Sequence, residues 1–327
     1  MSRPSLQCAR PWIAFLVLLL LGLALLTAQW WFWWCRPVGS GPVRIPVDLA
    51  KFQQPWTERP VCLVGLGDSV TAGFGAEPGH SFLRRLASAP ADEFPELYGA
   101  HLSNVLPGLS VTNLAVSGSS SLQHARQQIP LVPMQDSRVL GLVVMTTGGN
   151  DLLHHYGRTA PVEGAMYGAT YEQAEPWARA FEKRLADMIG AVTNRFPGGC
   201  HVFLGTIYDS TDGIGDLQKA GELPPWRQGL GLLARYNEIL RRFAIRNPNV
   251  HLVDVHQAFL GHGIHCSQFW RPFYDRSDPH YWYHDNLEDP NDRGYDALRR
   301  LFLNAIAQVL AQPVNLSPRV LTTDGHR

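Results

Sequence analysis

The sequence predicts an α/β fold of three layers, a central parallel sheet covered by helices on both faces, preceded by one N-terminal transmembrane helix. Two observations lead there. Short apolar runs rich in β-branched residues alternate with longer stretches of helical spacing from residue 61 onward. Runs of that length read as buried strands, and strand–helix alternation builds a parallel sheet with helices on both faces. The second observation is the uncharged apolar stretch 11–35, long enough to cross a bilayer.

The predicted organisation is a cytoplasmic segment 1–10, a transmembrane signal anchor 11–35, a linker or wrapping arm 36–60, a single domain 61–312 and a C-terminal tail 313–327. Arg3 and Arg10 precede the apolar stretch and place the N-terminus on the cytoplasmic side, with the domain outside. Trp30, Trp31, Phe32, Trp33 and Trp34 close the span, as interfacial aromatic residues do. The alternative is secretion after signal-peptide cleavage near Ala28, where bulky Leu26 stands in place of a small residue.

Five strands are predicted: Val61–Gly65, Val111–Val116, Val139–Met145, Val202–Ile207 and Val250–Val255. Helices are expected from Phe82, over Leu97–Val105, Ser121–Gln128, Pro176–Phe196, Gln228–Ile245 and Asn291–Leu310. Trp177, Phe181, Leu185, Met188, Ile189 and Val192 give the fourth of these its apolar face. Lysine plus arginine equals aspartate plus glutamate at 28 each, so no nucleic acid partner is expected. No CxxC occurs, and Cys200 and Cys266 are either a disulfide or two separate thiols.

In a parallel sheet, ligands bind at the carboxyl ends of the strands. The first such loop is Gly65-Leu66-Gly67-Asp68-Ser69-Val70-Thr71-Ala72-Gly73, which exposes a serine in a tight turn. Val70 breaks a G-x-G-x-x-G pattern, and no GK[ST] follows. Either Asp68 or Ser69 also suits a helix N-cap. The second loop is Asn113-Leu114-Ala115-Val116-Ser117-Gly118, whose glycine can bring a backbone N–H to an oxyanion. The third, Thr147-Gly148-Gly149-Asn150-Asp151, offers an amide donor or a helix cap.

In this order, each after a strand, the three loops resemble the serine, glycine and asparagine blocks of the GDSL/SGNH hydrolase family. The resemblance covers roughly residues 61–310. It implies a flavodoxin-like three-layer fold and ester hydrolysis through an acyl-Ser69 intermediate. The oxyanion hole would comprise the Ser69 N–H, the Gly118 N–H and the Asn150 side chain. No cofactor and no metal are implied. The implied substrates are ester-bearing small molecules, lipids or glycans, with the membrane reached through the N-terminal helix. A non-catalytic binding protein of the same fold, or an acyltransferase at the cell envelope, is the alternative.

The last block departs from the family. Pro290, Asn291 and Gly294 align, but Asp289 stands where the family's histidine does, and Asn286 where its aspartate does. A substitute base is therefore expected from the loop holding His256, His262, His265, His280 and His284. Histidine suits the task because its ordinary pKa lies near neutrality. His284 is the first choice, being nearest the vacated position, with Asp285 or Asp289 orienting it; His262 is the second. A metal site among His251, His256, His262, His265 and Cys266 lacks any organising spacing. Trp177, Trp226, Trp270 and Trp282 are candidates to line a sugar or acyl site, though packing explains tryptophans equally well.

Overall fold

The computed structural model describes residues 10–219, 221 and 223–311. Arg3, the rest of segment 1–9 and the tail 313–327 lie outside the described residues. The first element is helix α1, Arg10–Trp33, whose stretch Trp12–Trp33 is uncharged, largely apolar and long enough to cross a membrane.

Five parallel strands follow: β1 Val61–Gly67, β2 Leu109–Asn113, β3 Leu140–Thr146, β4 Cys200–Gly205 and β5 Val250–Val253. Their order in the sheet is β2-β1-β3-β4-β5. Between and after them run α2 Ser69–Ala72, α3 Phe82–Ala87, α4 Leu102–Val105, α5 Ser121–Gln123, α6 Gly149–Leu153, α7 Tyr171–Thr193, α8 Gly229–Arg246, α9 Val255–Phe259 and α10 Asp292–Leu310. Side chains alternate across the sheet with period two. Val61 and Leu63 of β1 and Leu142 and Val144 of β3 join the core under α3 and α10. Cys62, Val64, Val143 and Met145 point into the opposite core, under α7 and α8. Both faces being covered explains why these strands are continuously apolar in sequence.

Three elements differ from the sequence expectation. The predicted helix 97–105 is instead a turn at Pro95–Leu97 and a short α4, because Gly99 between them takes φ +83°. The edge strand β2 starts and ends earlier than residues 111–116. It is largely exposed, so apolar burial does not mark its limits. Helix α7 starts before Pro176, where the Thr170 hydroxyl accepts the Gln173 N–H and Gln173 accepts the Thr170 N–H. This capping box satisfies donors at the helix start.

Residues 36–60 lie along α10. Arg293 donates to the Gly41 carbonyl at 2.7 Å, Arg300 to Ile45 at 3.0 Å and Asn304 to Pro46 at 2.9 Å, while Val43 and Phe52 are buried. Helix α10 is held in turn by buried Arg299, which pairs with Glu93 at 2.5 Å and Asp296 at 2.8 Å. Removing one partner would leave a buried charge uncompensated, so this pairing holds α10 in register. The loop just before α10 carries Asp289.

The sequence left Cys200–Cys266 open as a disulfide, and the structure separates the two. Cys200 lies on β4 within electrostatic reach of Cys62, Cys266 lies near Cys35, and all four thiols are free.

Candidate active site

The strand order reverses at β1, whose neighbours β2 and β3 lead away on opposite sides. A crevice opens at the carboxyl ends of strands at such a point. The three loops found in the sequence leave β1, β2 and β3 there.

Gly67 ends β1 with φ +127°, and a Cβ on it would lie 2.1 Å from the Thr146 carbonyl oxygen. No other residue fits. Gly67→Ala is therefore expected to destabilise the fold by about 2–4 kcal/mol, through a strained φ and a backbone clash together. A urea midpoint equal to wild type would refute that.

Asp68 then caps α2. Its Oδ1 accepts the Val70 N–H at 3.2 Å and the Thr146 hydroxyl at 2.7 Å. The cap places Ser69 at the first helical position with its side chain on a cavity of about 130 Å³. Leu152, Leu153, Ile207, Leu217, Leu230 and Leu233 supply much of its apolar wall.

Ser119 joins the three loops. Its hydroxyl lies 3.0 Å from the Gly67 carbonyl and 2.6 Å from that of Val116, and its own carbonyl accepts the Asn150 side-chain N–H at 3.0 Å. Gln128 exchanges two bonds with the Gly67 backbone, at 2.8 and 2.7 Å. His124 is fully buried, with Nε2 at 2.9 Å from the Ser119 hydroxyl and Nδ1 at 2.9 Å from the Thr147 hydroxyl. Burial pushes its pKa down to about 4. It is thus neutral, with Nε2–H donating to Ser119 and Nδ1 accepting from Thr147, the tautomer that satisfies both bonds. Sequence reasoning missed Ser119, His124 and Gln128. The signal was a histidine and a glutamine four residues apart in a short helical stretch directly after the glycine loop.

Gly118 takes φ +78°, with open space where a Cβ would be. Among the described residues its N–H has no partner. Asn150 lines the cavity beside Ser69, and its bond to Ser119 fixes the orientation of the amide.

Asp289 lies close to Ser69. It is buried, and burial raises its pKa, while the nearby Ser69 hydroxyl and Asn286 amide offset part of that rise. The Asn286 amide donates to Oδ2 at 2.7 Å, and Oδ1 is buried without a hydrogen-bond partner. Two more carboxyls crowd the site. Burial, with repulsion from Asp289, pushes Asp68 up to about 6 and Glu288 up to about 8.

Among the described residues, no hydrogen bond joins His284 or His262 to the Ser69 hydroxyl. The His284 ring packs beside Gly75 and at 6.1 Å from Phe74, its backbone N–H bonds to the Asp289 carbonyl at 2.7 Å, and its Nδ1 is buried without a partner. His284 is close enough for its charge to lower the Asp289 pKa. His262 is stacked on Trp282 with ring centroids 3.5 Å apart and its Nδ1 at 3.1 Å from the His280 carbonyl, off the cavity. Packing against the indole accounts for its burial. His251 pairs with His201, His256 with the Ile207 carbonyl and His265 with Asp216, so each has a separate partner. Of the tryptophans, Trp226 lines the cavity, with its indole N–H on the Ala169 carbonyl at 2.9 Å. Trp177 packs against the core, Trp282 is buried and Trp270 packs edge-on against Phe32.

Comparison with known proteins supplies the family. The profile of the GDSL-like lipase/acylhydrolase family matches residues 66–297. Among solved structures, the chain is similar to the extracellular lipase of Streptomyces rimosus, at 19% identity and a TM-score of 0.48 over 75% of this chain and 99% of that one. It is similar to an acetyl xylan esterase from Geobacillus stearothermophilus, at 19% identity and 0.46 over 76% and 97%. Phospholipase A1 from Streptomyces albidoflavus NA297 gives 18% identity and 0.45 over 76% and 99%. No curated protein matches the sequence. The chain belongs to the GDSL-like lipase/acylhydrolase family, hydrolases acting on esters.

Proposed function

We propose that this chain cleaves carboxylic esters through an acyl-Ser69 intermediate, with Asp289 as the proton acceptor. The observation that carries the reading is the Ser69 hydroxyl lying between a buried carboxylate and an apolar cavity. Ser69 Oγ attacks the ester carbonyl carbon while its proton passes to Asp289. The negative charge on the former carbonyl oxygen is taken up by the Ser69 and Gly118 N–H groups and the Asn150 amide. As the C–O bond breaks, Asp289 returns the proton to the leaving alcohol; water then attacks the acyl-Ser69 carbonyl while Asp289 takes its proton, and the proton passes to Ser69 Oγ as the acyl–Oγ bond breaks and the acid leaves. Asn286, through its 2.7 Å bond, holds the carboxylate as an acidic partner would hold an imidazole. An ordinary exposed aspartate is too weak a base for this, and burial strengthens it.

A second reading makes His284 the proton acceptor, with Asp289 orienting it. It is favoured by the buried, unpartnered Nδ1 of His284 and its closeness to Asp289. Closeness to Ser69 favours Asp289.

A fluorophosphonate probe tests the nucleophile. The expected result is one adduct, on the peptide holding Ser69; an adduct elsewhere, or none on folded protein, refutes the proposal. Asn150→Ala is expected to lower kcat about 100-fold with a smaller change in KM, the scale for losing one oxyanion donor. Weakened binding with unchanged kcat would instead make Asn150 a substrate contact.

We also read α1 as an uncleaved anchor, with the domain outside the cytoplasmic membrane. What supports this is the apolar span Trp12–Trp33, which is longer than the apolar part of a cleaved leader and ends in its own aromatic cluster.

A further inference from the structure

We infer that Phe269 and Trp270, packed edge-on against Phe32 at the exit of α1, form a second membrane contact that seats the Ser69 cavity on the bilayer, so that the substrate is an ester of a bilayer lipid. The inference rests on the esterase reading of that cavity and on α1 staying attached.

Four observations carry it. Phe269 and Trp270 are 63% and 48% exposed, yet their rings pack edge-on against Phe32 at 5.6 and 4.9 Å. They thus extend the aromatic end of α1 sideways, on a loop of the domain itself. Two large adjacent aromatics in water are unfavourable, whereas aromatic rings settle at the lipid–water boundary. Second, their neighbour Gln268 is buried and bonded to the Phe32 carbonyl, so the loop is held at the height of the helix exit. Third, the Lys219 ammonium, paired with Asp216 at 3.1 Å, lies 5.6 Å over the Trp33 ring, a polar pair beside the aromatic belt at headgroup level. Fourth, the segment that brings Lys219 there also walls the cavity, through Gly215, Leu217 and Gln218. One edge of the catalytic cavity is therefore part of the surface that meets α1 where it leaves the membrane. An acyl chain lifted from the outer leaflet would pass this edge and meet apolar wall residues before Ser69.

The test uses the full chain reconstituted in vesicles of phosphatidylcholine and phosphatidylglycerol. The photoreactive p-benzoylphenylalanine replaces Phe269 in one sample and Ile245 in another; Ile245 is 84% exposed and lies at the far end of α8. Irradiation is expected to give lipid adducts at position 269 and none at 245. No adduct at 269, or a cross-link there to a second copy of the chain, overturns the membrane contact. In parallel, the F269S/W270S variant is compared with wild type on two substrates. Hydrolysis of a fluorogenic phosphatidylcholine in the vesicles is expected to fall roughly tenfold, as apolar side chains are lost from a lipid interface, with a soluble aryl ester changed less than about twofold. No turnover of the vesicle lipid by wild type, equal loss on both substrates or no loss on either overturns the substrate class. Failure of the esterase reading would look different, because aryl ester turnover would survive Ser69→Ala while the adduct at 269 still formed.

Discussion

Ser69→Ala is expected to lower kcat/KM on a short-chain aryl ester by about 10⁴-fold or more, the usual scale for deleting a serine nucleophile. The change removes one oxygen and little else. Asp68 still caps α2 through its bonds to Val70 and Thr146, and Gly67 still closes β1 against β3. The Asp289 carboxyl loses a nearby hydroxyl but keeps the Asn286 amide. Circular dichroism and the urea midpoint should therefore match wild type within about 1 kcal/mol, the range for losing one modest hydrogen bond. Residual turnover would come from the Gly118 and Asn150 donors acting on water attack. Folded protein that keeps full turnover would remove Ser69 from the mechanism.

Asp289→Asn is the second large effect, expected to lower kcat by about 10³-fold or more, comparable with spoiling the acid–base partner of a serine nucleophile. The substitution is isosteric and keeps an oxygen for the Asn286 amide, so the loop need not move. The pH profile separates a base from a structural contact. Asp289 accepts a proton only when ionised, and burial has raised its pKa. The kcat/KM of wild type should therefore fall as pH drops through that raised value, at higher pH than for an exposed aspartate. This limb should vanish in Asp289→Asn. In the same series His284→Ala should keep kcat within about threefold, since its ring faces Phe74 and Gly75. Activity kept by Asp289→Asn and lost in His284→Ala would transfer the base to the histidine.

Helix and strand identity was largely legible because burial leaves a period in the sequence. Cys62 and Val64 pack on one face of β1 and Leu63 on the other, and both faces are covered, so the strand is an unbroken apolar run. The ends of elements were less legible. The start of α7 depends on a reciprocal pair of side-chain bonds between Thr170 and Gln173, and the break before α4 on the backbone angle of Gly99. Such features occupy one or two residues and leave no periodic trace.

The nucleophile loop, the glycine loop and the asparagine loop could be found from sequence because each is local, a few residues directly after a strand. Sequence alone also determined that the usual histidine is replaced by Asp289. What stands beside the Ser69 hydroxyl was decided only by tertiary structure, because Asp289 reaches it from the far end of the chain, on a loop positioned by α10 and its buried Arg299 pairs. Sequence nearness made His284 and His262 candidates. Packing turned the first toward Phe74 and stacked the second on Trp282. The Ser119–His124–Gln128 bonds that join the three loops were equally invisible, since a buried polar side chain takes its partner from the fold around it and not from its neighbours in sequence.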